Sequence, residues 1–203
     1  MNKPLAKFFL ATFFAASSGH AADPLQFPVY STFDGGADGW VSSSTAFQHY
    51  PNAGNPNGCI GLEDIGSDGN WAVAPAKFLG DWSALDEKGA LFFDHKVYDP
   101  GTGNPLEPGS YIVRITGENG AQATWLKEGP EGATPWLSFR VPIRQSKWTL
   151  EEGTVWADLL ANITKLEIKM EMFGNTSGPI PLKHDKDAID NVALAFVNQP
   201  CDF

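Results

Sequence analysis

The chain has 203 residues, and its 24 acidic residues outnumber its 14 lysines and arginines, which gives a formal net charge of −10. A charge of this sign repels nucleic acid and anionic membranes over long range, so we expect no nucleic-acid partner. The charge is compatible with cations and with neutral ligands such as sugars.

The N-terminus has the organisation of a secretory signal peptide. Lys3 and Lys7 supply positive charge, residues 8–16 are mostly apolar, and small residues follow. The apolar run is shorter than the roughly 20 residues that a membrane-spanning helix needs, and no later stretch is long enough. We therefore expect a signal peptide over residues 1–22 and one domain over residues 23–203. That domain would be secreted or periplasmic and would not span the membrane.

Short strands make up most of the predicted elements. The 21 glycines and 15 prolines separate short segments rich in β-branched and aromatic residues. In chain order, strands are predicted over residues 30–33, 46–50, 59–65, 90–98, 111–116, 121–126, 136–143, 164–172 and 190–197. Asn119 and Gly120 form a predicted hairpin turn, because both tolerate a positive φ. Helix is confined to a turn or two within residues 155–162 and a short 3₁₀ segment within residues 78–85.

The clearest strand is residues 164–172. Its apolar residues alternate with charged ones, so one face is predicted to be buried and the other exposed: Leu166, Ile168, Met170 and Met172 against Lys165, Glu167, Lys169 and Glu171. Some ten such strands with turn-rich connections predict an all-β fold. The expected architecture is a two-sheet antiparallel sandwich, most simply a jelly roll.

Several ordered segments resemble the laminin B domain, also called laminin IV type A. The most specific is WAVAPAKFLGD at residues 71–81. The others, in the order in which the family has them, are FD at 33–34, GW at 39–40, LFFD at 91–94, LLANITKLEI at 159–168 and IDNV at 189–192. The resemblance covers nearly all of the predicted mature chain. It implies a galactose-binding-like jelly roll, found in extracellular matrix chains and as stand-alone exported bacterial proteins.

No catalytic constellation stands out in the sequence. It contains no Gly-x-Ser-x-Gly, no His-Glu-x-x-His and no glycine-rich phosphate loop. Asp94 and His95 are neighbours in a predicted strand, where adjacent side chains point to opposite faces and cannot act together directly. The family that the chain resembles also has no established catalytic residues. We therefore expect a protein that is not an enzyme.

Calcium is the one cofactor that the sequence suggests. Jelly rolls of the sugar-binding kind often join their first and last strands through one Ca²⁺, which prefers oxygen ligands. Asp34 and Asp190 lie at the predicted starts of those strands, and Asp38 stands among glycines. The alternative is that Asp190 caps a turn by accepting backbone hydrogen bonds. The segment at residues 183–187 has two acids but is interpreted as a solvated loop.

The two cysteines, Cys59 and Cys201, are predicted to form a disulfide in an oxidising compartment. It would tie the C-terminus to an early strand and close a long loop, with a stabilisation on the order of 4–5 kcal/mol. Two unlinked thiols are the alternative.

A candidate ligand-binding face follows from alternation in the predicted strand at residues 136–143. Trp136 shares a face with Ser138 and Arg140, opposite Leu137, Phe139 and Val141. Arg114 likewise lies opposite an apolar triplet, and Trp125 follows on the next predicted strand. A ring to stack on and forked donors suit sugar recognition. The four candidate ligand-binding residues are Trp136, Arg140, Arg114 and Trp125, although a loop covering the face would explain the tryptophans equally well.

The sequence as a whole favours a non-catalytic exported module that binds a glycan or an extracellular protein. Two alternatives stay open. One is a polysaccharide hydrolase or lyase on the same scaffold, which would need two carboxylates in a cleft with one strongly perturbed pKa. The other is a structural component of a surface or matrix.

Overall fold

A computed structural model describes residues 25–42, 44–63, 70–99, 109–172 and 186–199. Its strands form two six-stranded sheets in which every pair is antiparallel, packed into a β-sandwich. The predicted all-β jelly-roll sandwich is confirmed.

Sheet A has the order β3-β4-β12-β6-β9, and β1 pairs with β12 beside β4. Its strands are β1 (Val29–Ser31), β3 (Gln48–Tyr50), β4 (Cys59–Glu63), β6 (Gly89–Asp99), β9 (Leu137–Pro142) and β12 (Lys186–Phe196). The two longest strands, β6 and β12, lie side by side at its centre.

Sheet B has the order β10-β8-β7-β11-β5-β2. Its strands are β2 (Val41–Ser42), β5 (Trp71–Val73), β7 (Ser110–Gly117), β8 (Gln122–Glu128), β10 (Thr149–Leu150) and β11 (Ile163–Lys169). One short helix, α1 (Trp156–Ala161), precedes β11, and 3₁₀ turns occupy Ala76–Phe78, Ser83–Leu85, Glu118–Gly120 and Gln145–Lys147. No helix among the described residues is long and apolar enough to cross a membrane.

The core lies between the sheets and is rich in aromatic rings. Phe139 of β9 stacks on Phe93 of β6 at a centroid distance of 5.0 Å. From sheet B, Tyr111 and Trp125 reach the same ring at 4.3 Å and 6.5 Å. Because rings from both sheets meet at Phe139, this cluster holds the two layers together.

The predicted strands agree with the structure in position, apart from their ends. Asn119 adopts the expected positive φ of 62° at the turn between β7 and β8. The strands that the sequence did not predict are β2, β5 and β10, which have only two or three residues each. Strands this short have no alternation from which to recognise them.

The charged face of β11 is less exposed than predicted. Leu166 and Ile168 are buried as expected, but Glu167 on the opposite face is also buried. Its carboxylate lies 2.6 Å from the Lys165 ammonium and 3.7 Å from the Arg114 guanidinium. The long side chains of these two bases therefore cover an acid that the sequence pattern placed in solvent.

The interpretation of residues 183–187 as a solvated loop is wrong for the last two residues, 186 and 187. β12 begins at Lys186, and Asp187 is buried on the side facing sheet B. Strands pair with both edges of β12, β4 on one side and β6 on the other, so its polar residues are enclosed as well. Residues 183–185 lie outside the described residues.

Two further predictions depend on residues that the structure does not describe. The signal peptide over residues 1–22 lies outside the described ranges, as does Cys201. Cys59 is fully buried on β4 and forms no disulfide within the described residues. Its pairing with Cys201 therefore stays a prediction.

Candidate functional site

The outer face of sheet A carries a band of polar and aromatic side chains on β6 and β9. The register places Asp94 opposite Ser138 and Phe92 opposite Arg140. Lys96 and Tyr98 continue the same face of β6, and Trp136 precedes β9 beside them. The band, which we call the sheet A face, comprises Phe92, Asp94, Lys96, Tyr98, Trp136, Ser138 and Arg140.

Trp136 is positioned by hydrogen bonds that extend the β6–β9 ladder. The Val97 N–H donates to Thr134 Oγ1 at 3.0 Å, and the Thr134 N–H donates to the Val97 carbonyl at 3.0 Å. The backbone just before Trp136 is thereby fixed against β6. Its ring lies edge-to-face with Tyr98 at a centroid distance of 6.3 Å.

The Lys96 ammonium is held by both rings. Its Nζ lies 4.2 Å from the centroid of Tyr98 and 6.0 Å from that of Trp136. Cation–π attraction in this range holds the long side chain in one place on the face. The result is an ordered cation at one end of the sheet A face.

A loop at residues 51–58 forms one wall of the face. The Asn55 N–H donates to Asp190 Oδ2 at 2.5 Å, and Asn55 Nδ2 donates to Asp94 Oδ2 at 3.1 Å. The Tyr98 hydroxyl donates to the Ala53 carbonyl at 2.6 Å. Gly54 makes this close approach possible, because a Cβ there would lie 2.6 Å from Asp190 Oδ2 and 2.0 Å from the Gly58 carbonyl oxygen.

Asp94 and Asp190 are paired across β6 and β12, and a register shift follows in β12 at Asn191, whose φ is 48°. Asn191 Nδ2 donates to Asp94 Oδ2 at 2.9 Å and to the Asn55 carbonyl at 2.5 Å, while its N–H donates to Asp190 Oδ1 at 2.7 Å. Burial raises the pKa of Asp190 to about 6, opposed by these backbone N–H bonds and reinforced by the charge of Asp94. The two carboxylates fasten the loop to the sheet.

A depression of about 280 Å³ opens between the loop and β9. Asn55 and Asn191 line one side, and Asp94 and Ser138 contribute to its lining. Amide, carboxylate and hydroxyl groups supply both donors and acceptors for a polar ligand. The rings of Tyr98 and Trp136 lie outside the depression, further along the same face, and we call the depression and the adjoining ring pair the groove.

Tyr98 and Cys59 stay protonated at neutral pH. Burial raises the pKa of the Cys59 thiol to about 11, helped by the Asp190 charge, and raises that of Tyr98 to about 12. Tyr98 therefore remains a donor to the loop carbonyl. The raised pKa disfavours the thiolate form of Cys59.

The structure separates the four predicted ligand-binding residues. Trp136 and Arg140 lie together on the sheet A face, as alternation predicted. Trp125 is only 9 % exposed and points into the core, because it pairs with the inward-facing Val113. Arg114 lies on the outer face of sheet B, with its guanidinium 4.3 Å from the ring centroid of Trp71. Trp125 and Arg114 are thus corrections to the predicted set.

Calcium binding by Asp34, Asp38 and Asp190 stays a prediction, and each of these carboxylates has other partners. Asp38 pairs with Lys77, Asp34 Oδ2 accepts a bond from Thr32, and both Asp190 oxygens accept backbone N–H bonds. In the described ranges no three His, Cys, Asp or Glu side chains are arranged to hold a metal ion. The alternative reading of Asp190, as an acceptor for backbone N–H groups, matches its contacts.

Lys96, Tyr98 and Asn55 were missed by the sequence reasoning. Lys96 and Tyr98 could have been found, because Phe92, Asp94, Lys96 and Tyr98 alternate with the buried Leu91, Phe93, His95 and Val97. Asn55 carries no such signal. Its place depends on how a loop rich in glycine, asparagine and proline folds back onto distant strands.

The fold is similar to those of several solved domains. The L4b domain of human laminin alpha-2 superposes with a TM-score of 0.59 at 12% identity, covering 85% of this chain and 98% of that one. A family 11 carbohydrate-binding module of a cellulosomal cellulase of Clostridium thermocellum gives a TM-score of 0.51 at 16% identity, covering 84% and 95%. A tandem family 22 module from Paenibacillus barcinonensis gives 0.51 at 11% identity, covering 91% and 52%. No protein-family model matches the sequence, and no curated protein matches it.

Proposed function

We propose that this chain is an exported, non-catalytic, laminin-B-like module that binds a glycan on the sheet A face. The observation that carries the proposal is the combination on one groove of stacking rings and hydrogen-bonding side chains. Tyr98, 40 % exposed, and Trp136 supply the rings, while Ser138, Arg140 and Asn55 supply polar groups. Sugars present apolar ring faces and rims of hydroxyls, which this combination complements.

The comparisons support the binding class. The similar structures include carbohydrate-binding modules, one of them a family 11 module from Clostridium thermocellum in complex with a β-1,3-1,4-mixed-linked tetrasaccharide, at 17% identity and a TM-score of 0.50. The laminin alpha-2 L4b domain supports the family resemblance carried by residues 71–81. At these identities the likeness concerns the fold, so the ligand is argued from the groove itself.

The carboxylate pair in the groove favours binding over hydrolysis. A glycosidase needs one carboxylic acid to donate a proton and a second carboxylate to reach the sugar. Asp190 is 0 % exposed, and both of its oxygens accept backbone N–H bonds. Asp94 Oδ2 accepts two amide donors and is likewise buried. Asp190 therefore has no access to a glycosidic oxygen, and Asp94 is the single carboxylate among the residues that line the depression.

Trp136→Ala tests the proposal against a matched control, Trp71→Ala. Trp71 is a partly exposed tryptophan on the outer face of sheet B. A panel of immobilised polysaccharides would be titrated with each variant, with Ca²⁺ and with chelator. We expect Trp136→Ala to weaken binding by about tenfold or more, the equivalent of roughly 1.4 kcal/mol, while Trp71→Ala binds as the unaltered protein does. If binding required Ca²⁺, that separate result would support the predicted calcium site.

Equal weakening by both variants, with both shown to be folded, would contradict a site on sheet A. A folded protein that binds nothing on the panel would overturn the glycan proposal. It would instead favour a protein partner or a structural role.

A further inference from the structure

We propose that the ligand of the sheet A face is an acidic polysaccharide, one that carries carboxylate or sulfate groups at intervals. This inference rests on the proposed glycan-binding function and narrows its ligand class. It starts from the two cations on the face, Lys96 and Arg140. Neither has a carboxylate within ion-pair distance among the described residues, although the chain as a whole has many more acids than bases.

Five of the eleven described bases pair with a carboxylate, whereas Lys88, Lys127, Lys147 and Lys169 resemble Lys96 and Arg140 in having no such partner among the described residues. Lys77, Arg114, Arg144, Lys165 and Lys186 each lie within 4.0 Å of a carboxylate. Lys96 and Arg140, which have no carboxylate partner among the described residues, lie on the same sheet face, so their charge is available to a ligand there.

Asp94 and Asp190 form no ion pair with Lys96 or Arg140. Asp94 Oδ2 and both oxygens of Asp190 accept bonds from Asn55 and Asn191; Asp190 is fully buried, and Asp94, 8 % exposed, lines the depression. Lys96 contacts rings instead, and Arg140 is exposed. The groups that a ligand meets at the two ends of the groove are therefore cationic.

The Lys96 ammonium is held in place before any ligand arrives. Tyr98 and Trp136 fix its position, so less side-chain freedom is lost when an anion binds. An ammonium can donate up to three hydrogen bonds, and the ring faces are not strong acceptors for them. A carboxylate or a sulfate ester supplies strong acceptors.

The spacing of the two cations indicates a polymer. Arg140 pairs with Phe92, which is four residues from Lys96 on the same face of β6. At about 3.4 Å per residue, the two positions lie roughly 14 Å apart along the strand. A single small anion cannot reach both, whereas a chain with repeated acidic groups can, passing Asp94 and Ser138, which lie opposite each other between them.

The experiment compares acidic polymers with neutral counterparts. Polygalacturonate would be titrated against its fully methyl-esterified form, and carrageenan against agarose, by calorimetry at low and at high salt. The protein variants are Lys96→Gln, Arg140→Gln and Lys165→Gln. The last removes the same charge from the outer face of sheet B and serves as the control.

We expect at least tenfold tighter binding to one of the acidic polymers than to its neutral counterpart, weakened by high salt. We expect Lys96→Gln and Arg140→Gln each to reduce that preference severalfold, and Lys165→Gln to leave it unchanged. The polymer that is preferred identifies carboxylate or sulfate as the group recognised. Because the protein is an anion overall, diffuse attraction cannot produce such a preference.

Equal affinity for acidic and neutral polymers, unaffected by Lys96→Gln, would overturn the acidic-ligand inference and leave the glycan-binding proposal standing. An equal loss for Lys165→Gln would also overturn it. Absence of binding to all four polymers by the folded protein would overturn the inference. If a broad panel of neutral glycans also failed to bind, the proposed function would fall with it.

Discussion

Asp94 and His95 are adjacent residues with unrelated surroundings. Asp94 lies on the outer face of sheet A beside the loop, whereas His95 points into the core and is 0 % exposed. The His95 ring packs edge-on against Tyr111 at 5.1 Å, and its Nε2 lies 3.6 Å from Asp187 Oδ1. Neither ring nitrogen has a hydrogen-bond partner in the described part of the chain. Burial lowers the pKa of His95 to about 3.

This burial predicts an acid-sensitive fold. Because the pKa of His95 falls from 6.5 to about 3 on folding, the unfolded state binds a proton between these values and the native state does not. The free energy of unfolding should therefore decrease as pH falls from about 6.5, by at most about 1.4 kcal/mol per pH unit for this group. Asp190 has the opposite effect. Because folding raises its pKa from 3.8 to about 6, its contribution to the free energy of unfolding increases as pH falls through this range.

The test is urea denaturation of the unaltered protein and of His95→Leu at several pH values from 7 to 4. The difference between their free energies of unfolding isolates the contribution of His95. We expect the difference to change steadily below about pH 6.5. Parallel pH profiles for the two proteins would show that His95 is not buried in its neutral form.

At the scale of elements, the loop at residues 51–58 determines the shape of the candidate site. It follows β3 directly and is tied to β6 and β12 by Asn55, which contacts Asp94 and Asp190. Gly58 also comes close to another segment, since a Cβ there would lie 2.1 Å from the Phe33 carbonyl oxygen. The loop therefore tolerates little bulk on its inner side.

Gly54→Ala tests this packing. The added methyl group would collide with the Gly58 carbonyl and the Asp190 carboxylate, both fixed by the surrounding structure. We expect a loss of at least about 2 kcal/mol in the free energy of unfolding, measured in urea. Gly132→Ala is the matched control, because nothing lies within 4 Å of a Cβ at that position. A Gly54→Ala protein as stable as the control would contradict the described path of the loop.

Alternation along single strands could be predicted from the sequence, and contacts between distant segments could not. The period-two pattern placed Trp136, Ser138 and Arg140 together on an outer face, since side-chain direction in a strand is a local property. Trp125 was misjudged because alternation shows which residues share a face but not which face is buried. The loop contacts of Asn55 and the covering of Glu167 depend on tertiary packing, which a single sequence does not reveal.

At the scale of the molecule, the two outer faces of the sandwich differ in kind. On the outer face of sheet B, Glu167 is held by Arg114 and Lys165. The sheet A face has an open depression and leaves Lys96 and Arg140 without carboxylate partners among the described residues. One wall is a loop fastened by buried carboxylates. This asymmetry is the reason that we propose the binding site on sheet A.

The most direct test of a binding site on the sheet A face is amide chemical-shift mapping by NMR. The ligands are a short galacturonate oligosaccharide and a neutral gluco-oligosaccharide. We predict that the perturbed amides cluster at residues 53–55, 92–98 and 136–140, with larger shifts for the acidic ligand. Shifts centred on residues 71–73, 112–116 and 163–169, or none with either ligand, would contradict a binding site on sheet A.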